Sequence, residues 1–100
     1  MSVLIEKNDE NMIAYLMGDI DHHNAKGIRE KIDLDAESFS PSLLILDFKD
    51  VTFMDSSGIG LVMGRYKLMK SLNGTLKITN ASSHIKKVMR LAGLDKLSAI

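Results

Sequence analysis

The six residues Leu43 to Phe48, LLILDF, limit what this chain can fold into more than any other stretch. Five of the six are large and apolar, Pro41 stands just before them, and the charged pair Lys49–Asp50 closes them. A run this short, bounded by a breaker and by charge, reads as a strand rather than a helix. Without polar alternation it reads as a strand covered on both faces, the pattern of a central, parallel strand. Such a strand needs neighbours on both sides and crossover helices to reach them.

The flanking sequence supplies both. SVLIE and MIAYLM, separated by the polar turn KNDEN, read as an N-terminal strand pair, with Tyr15 and Met17 on one side of the second strand and Ala14 and Leu16 on the other. In the stretch after them, Ala25, Ile28, Ile32, Ala36 and Phe39 are spaced as one helix face, and Asp21 is the expected N-cap. A second helix is predicted from about Ser57 to Leu72, closed by the turn signal Asn73–Gly74. TLKIT follows as a strand with Leu76 and Ile78 inward. A third helix is capped by Ser82 or Ser83, buries Ile85, Val88, Met89 and Ala92, and ends at a C′ glycine, Gly93. DKLSAI reads as a last short strand. The order β-β-α-β-α-β-α-(β) predicts an α/β fold: a mixed sheet of four to five strands with helices packed mostly on one face. With 100 residues there is room for one such domain, 1–100.

Composition removes several function classes. There is no cysteine, hence no disulfide and no thiolate metal site. Neither a secretory signal nor an apolar stretch of membrane-spanning length occurs, so the expected location is the cytoplasm, away from any membrane. A net charge of zero argues against direct nucleic-acid binding. The charge is polarised, however: residues 1–50 hold 5 Lys+Arg and 11 Asp+Glu, net −6, whereas residues 51–100 hold 8 and 2, net +6. Either the two halves lie apart and make a dipole, or they interleave and the asymmetry vanishes.

The remaining question is MDSSGIG, residues 54–60, at the start of the second helix. It is not a nucleophile elbow, because Asp55 stands where that motif needs glycine. Nothing in the sequence brings His22, His23 or His84 to Ser57 as a triad, and His22–His23 lacks a third metal ligand. Gly58, Gly60 and Gly64 approximate a nucleotide fingerprint, but KDVTFMDSS separates them from the strand. Asp47, at a strand end, lacks the company of a phosphoacceptor aspartate and is expected to cap a loop. No catalytic residue, metal or cofactor is therefore expected. A serine modified by another protein suits the position, since a helix start offers unpaired N–H groups and partial positive charge. Ser56 is the expected N-cap, leaving the Ser57 hydroxyl free for a phosphoryl group. Along the same helix Ile59, Val62, Met63, Tyr66 and Met69 form one apolar stripe, and Leu61, Leu68 and Leu72 a second, beside Gly64 and Arg65. The second stripe is left for the third helix or for a partner.

VTFMDSSGIGLVMGRYK resembles the signature of the STAS-domain anti-anti-sigma factors, with GDIDHHNA matching their approach to the first helix and LLILDFKDVTFMDSSG their central strand and phosphorylation loop. The resemblance runs from the first strand to LAGLDKL and is strongest to the sporulation branch, which antagonises anti-sigma-F. It implies a non-enzymatic, monomeric regulator. The unphosphorylated form binds an anti-sigma factor that is also a GHKL-type serine kinase, and so releases a sigma factor. Phosphorylation of Ser57 breaks the complex, and a PP2C-type phosphatase restores it. The interface implied is Asp19, Asp21 and His22 with Met54, Asp55, Ser56, Gly58 and Ile59; Leu61 and Arg65, further along the helix, extend the docking face. Family members usually continue into a final helix beyond the position of Ile100, so the last strand is expected to fray or the sheet to lack part of its cover. The alternative is a small-molecule or nucleotide-binding STAS module in another signalling assembly.

Overall fold

The computed structural model describes residues 3–97. Strands β1 (Val3–Asn8) and β2 (Asn11–Ile20) form an antiparallel hairpin, turned at Asp9 with φ +54°. Helix α1 (Ala25–Phe39) carries the chain back to β3 (Leu43–Met54), which pairs parallel with β2. Helix α2 (Ser56–Ser71) leads to β4 (Thr75–Thr79), parallel to β3 on its other side. The sheet order is β1-β2-β3-β4. Helix α3 (Ser83–Leu91) and a 3₁₀ turn (Leu94–Leu97) complete the described chain.

The hydrophobic pattern sets one buried face. Met12, Ala14 and Leu16 of β2, Leu44, Leu46 and Phe48 of β3, and Leu76 and Ile78 of β4 are buried together with Ile28, Ile32 and Ala36 of α1, Val62 and Met69 of α2, and Ile85 and Met89 of α3. Their neighbours in the strands, Ile13, Tyr15, Leu43 and Ile45, are only half-buried. The Cα atoms span 31 × 30 × 19 Å, the thin dimension of one helix layer on one sheet. The expectation that LLILDF is covered on both faces is thus overturned: it alternates, half-buried and buried, because the helices occupy one side. On the open side the Tyr15 hydroxyl donates to Glu6 Oε2 at 2.7 Å, which raises the tyrosine pKa.

Other expectations shift by a residue or a partner. DKLSAI is no strand where described: Asp95–Leu97 lie in the 3₁₀ turn, and residues 98–100 fall outside the described chain. Strand β3 runs on to Met54, six residues past the apolar run. On α2 the buried stripe is Gly58, Leu61, Val62, Arg65 and Met69, while Met63 is exposed and Ile59 and Tyr66 are half-buried. Leu61 and Arg65 face α1, not α3, since Arg65 Nε lies 2.9 Å from Asp33 Oδ1. The pair is close without being aligned as a hydrogen bond, and Arg65 Nη1 has no hydrogen-bond partner among the described residues. Burial pushes the Asp33 carboxyl up against the pull of Arg65, and pushes the Arg65 guanidinium down against the pull of Asp33. Ser82 does cap α3, accepting from Ile85 N, and Gly93 sits at φ +84° as a C′ residue.

Asp47 caps its strand ends. Its carboxylate accepts from Lys49 N at 3.0 Å, Thr79 Oγ1 at 3.1 Å and Asn80 Nδ2 at 2.7 Å. Burial would raise its pKa, but these donors outweigh burial and the net shift is downward. The two charge halves do not interleave: β1, β2 and α1 pack together along one side of the layer, and α2 with β4 along the other.

Candidate functional site

Two parallel strands ending side by side build the site. Near its end β2 shifts register against β3, around Leu16 and again at Gly18, which takes φ +76°. The shifts bring Asp19 opposite Phe53 and Ile20 opposite Met54. The turn after β2 and the loop after β3 therefore leave the sheet together. Asp55 N donates to Ile20 O at 3.2 Å, Thr52 Oγ1 donates to Asp19 Oδ1 at 2.7 Å, and Asn24 Nδ2 donates to Asp19 O at 3.0 Å.

Each side of this junction has its own cap. Asp21 Oδ1 accepts from His23 N and Asn24 N, both at 3.0 Å, and so caps the turn leading to α1; the helix itself begins after Asn24. Asp21 is thus not the N-cap, because the chain makes one extra turn first. Asp55, not Ser56, is the N-cap of α2: its Oδ1 accepts from Ser57 N at 2.7 Å. The carboxylate is the stronger acceptor at a helix start, and it displaces Ser56 into the first turn. Ser56 is exposed and Ser57 half-buried. Among the described residues Ser57 joins a side-chain hydrogen bond only through its backbone N–H, so its hydroxyl is free.

Gly58 is buried for a specific reason. A Cβ there would lie 2.1 Å from Met54 Cγ and 2.7 Å from Met54 Sδ, with Ile20 Cγ2 at 3.3 Å. The glycine lets the first turn of α2 close onto the ends of β2 and β3. Since β3 reaches Met54, the glycines do follow a strand directly. Gly58 nevertheless packs against protein and leaves no gap for a phosphate to approach. Gly60, by contrast, is exposed with open space before it.

The structure brings Asp19, Asp21, His22, Met54, Asp55, Ser56, Ser57, Gly58 and Ile59 to one end of the layer. Asp19, His22 and Ser56 are exposed, Asp21, Asp55 and Ile59 half-buried, and Met54 and Gly58 buried beneath them. Leu61 and Arg65 are 4% and 6% exposed, so they shape the α1–α2 seam and present almost no contact area. Two features escaped the sequence reading. Phe53 is 52% exposed beside the loop, a large apolar side chain facing solvent where β3 outruns its apolar stretch. A groove of about 390 Å³ runs between α1 and the start of α2, lined by His22, Ala25, Lys26, Arg29, Ser57, Gly60 and Leu61. Its signal was Lys26 and Arg29, three apart on α1, but only the packing of α1 against α2 places them beside Ser57. His22 shares the groove, yet no hydrogen bond links it to Ser57 among the described residues.

The site thus joins a free hydroxyl at a capped helix start to an exposed aromatic side chain beside it. The STAS domain family matches residues 2–100. The chain belongs to that family, in its anti-sigma factor antagonist branch. It is 28% identical over 100 residues to an anti-sigma F factor antagonist of Paenibacillus polymyxa, covering all of this chain and 86% of that one. It is 32% identical over 97 residues to an anti-sigma-B factor antagonist of Bacillus subtilis, covering 97% and 87%. The Bacillus anti-sigma factor antagonist SpoIIAA, 32% identical, superposes with a TM-score of 0.82 in its unphosphorylated form, over 92% of this chain and 81% of that one. Its phosphorylated form superposes with a TM-score of 0.76, over 95% and 86%.

Proposed function

We propose that this chain is an anti-sigma factor antagonist switched by phosphorylation of Ser57. The unphosphorylated form binds a serine-kinase anti-sigma factor of the GHKL type in the cytoplasm, and the bound sigma factor is released. The kinase then transfers the γ-phosphoryl group of ATP to Ser57 Oγ. The new O–P bond forms as ADP leaves, and the hydroxyl proton passes to a base of the kinase. The complex separates, and a PP2C-type phosphatase resets it. The docking face is the end of the layer described above: Asp19, Asp21 and His22 on one side, Met54, Asp55, Ser56, Gly58 and Ile59 on the other, with Leu61 and Arg65 supporting it and Phe53 added as an apolar anchor.

The observation that carries this reading is the Ser57 hydroxyl, free of hydrogen bonds among the described residues in a first turn already capped by Asp55. Substituting it does not disturb the helix start. A phosphate there adds about −1.5 to −2 charge. It acts on whatever docks over the turn, and about 3 kcal/mol of lost binding is already more than a hundredfold in affinity. That SpoIIAA exists in phosphorylated and unphosphorylated forms supports the same reading.

The test is incubation with Mg-ATP and the serine-kinase anti-sigma factor of the same genome, with the phosphate mapped by tandem mass spectrometry. A single phosphate on Ser57 is expected. Ser57→Asp should fold normally and lose the kinase; Ser57→Ala should bind and stay bound in ATP. No phosphate from an active kinase, or an unfolded Ser57→Asp, overturns the proposal.

A further inference from the structure

We infer that the groove between α1 and the start of α2 seats the phosphate carried by Ser57 itself, with Lys26 and Arg29 as its counter-charges. This rests on Ser57 as the phosphoacceptor and concerns where the phosphate goes once attached. Ser57 does not project from the surface: it is half-buried and forms one wall of the groove. A group bonded to its oxygen enters or borders that space. At about 390 Å³ the groove has room for a phosphoryl group and several waters, each of which takes about 30 Å³.

The surrounding charges direct the phosphate across to α1. The Asp55 carboxylate already occupies the Ser57 N–H, so a dianion is repelled on that side. Opposite stand Lys26 and Arg29, on one face of α1 at i and i+3, with the His22 imidazole beside them. Among the described residues neither Lys26 nor Arg29 has an ion-pair partner; the pairs present are Lys31–Asp35 and Arg65–Asp33. Asp21 is engaged by the His23 and Asn24 N–H groups, and Asp33 lies closest to Arg65 while also feeling the charge of Arg29; Glu30, on the same helix, remains a competing carboxylate that the phosphate dianion must outweigh. Two unpaired cations facing a modifiable hydroxyl across a small groove form a phosphate-binding arrangement, arginine being able to grip two oxygens at once. The phosphorylated form therefore closes the α1–α2 seam with a new ionic link, and the groove is no longer open to a partner.

The experiment needs no kinase. Phosphoserine is installed at position 57 during translation, in the otherwise wild-type chain and in Lys26→Ala/Arg29→Ala, and its second ionisation is followed by ³¹P NMR at low salt. Both substituted residues are exposed, and the unphosphorylated double variant should melt with the wild type. In the wild type the second ionisation constant, with pKa about 6 when free, should be at least about threefold larger than in the double variant. The difference should shrink in high salt. The melting temperature should also rise on phosphorylation in the wild type and not in the variant. Equal titration of the two proteins overturns the inference. A Ser57 that no cellular kinase modifies would defeat the proposed switch while leaving this result intact, so the two failures are distinguishable.

Discussion

Replacing Gly58 by alanine should loosen the end of the domain where binding is proposed, while the same change at Gly64 in the same helix should not. The built Cβ at Gly58 lies 2.1 Å from Met54 Cγ, well inside the roughly 3.5–4.0 Å at which carbons rest in contact. Met54 Cγ is near the backbone, and that backbone is held by pairing with Ile20, so the side chain cannot swing only its tip aside. Either Met54 leaves its rotamer and its buried place, or the first turn of α2 lifts from the sheet. Overpacking of this kind costs about 1–3 kcal/mol. Alanine returns at most about 1 kcal/mol in helix propensity, and less in a first turn. The net expectation is a loss of about 1–2 kcal/mol, a fall in Tm of roughly 5–15 °C for a domain this size. At Gly64 a Cβ meets nothing within 4 Å, so Gly64→Ala should be neutral or gain up to about 1 kcal/mol. Urea unfolding of the two variants followed by circular dichroism reads the difference directly. A Gly58→Ala protein as stable as Gly64→Ala would refute the close approach of α2 to Met54.

Two further outcomes concern the charges the fold holds in place. Asp33→Asn leaves Arg65, 6% exposed, without its counter-charge and should cost about 2 kcal/mol. That is less than a fully buried pair would lose, because the Asp33 side chain is 28% exposed; Arg65→Met, which leaves a carboxylate able to reach water, should cost less than Asp33→Asn in denaturant titrations. Asp47 has a lowered pKa in the folded chain, so its stabilising contribution is present above its unfolded pKa of about 3.9 and is lost as pH falls through the folded value. Asp47→Asn should therefore be less stable at pH 7 and show a shallower loss below about pH 4 than the wild type; parallel acid limbs in pH-dependent melts would contradict the assignment.

The proposed switch acts on recognition without unfolding the domain, and the architecture is consistent with that. The core lies between one face of the sheet and the helices, and Ser57 stands at its rim, so a phosphate there desolvates no core residue. The cap that starts α2 comes from Asp55 and survives modification of its neighbour. The proposed phosphorylation would instead change the charge of the surface that Asp19, His22 and Phe53 share with the loop.

Local signals were enough to read most of the elements. Apolar spacing marked α1, Ser82 and Gly93 marked the two ends of α3, and alternation in TLKIT marked β4, because each depends on residues within one or two turns. What failed depended on partners distant in sequence. LLILDF carries apolar residues at every position but one, yet one side of it stays open; hydrophobicity shows that a strand tolerates burial, and the placement of helices decides which face receives it. Leu61 and Arg65 looked available for a partner because nothing in α2 reveals that Asp33 of α1 lies opposite. Ser56 lost the cap to Asp55 through a one-residue displacement of the helix start, where β3 pairing with Ile20 extends to Met54. The sequence by itself determined the element order through the third helix and the place of Ser57 at the start of the second, since a hydroxyl at a helix start is a local property. Tertiary structure alone decided what surrounds it: Gly58 pressed onto Met54, and Lys26 and Arg29 drawn to the far wall of a shared groove. Lys26 and Arg29 lie 31 and 28 residues before Ser57 along the chain, and only the parallel pairing of β2 with β3 and the seating of α1 beside α2 bring them within reach.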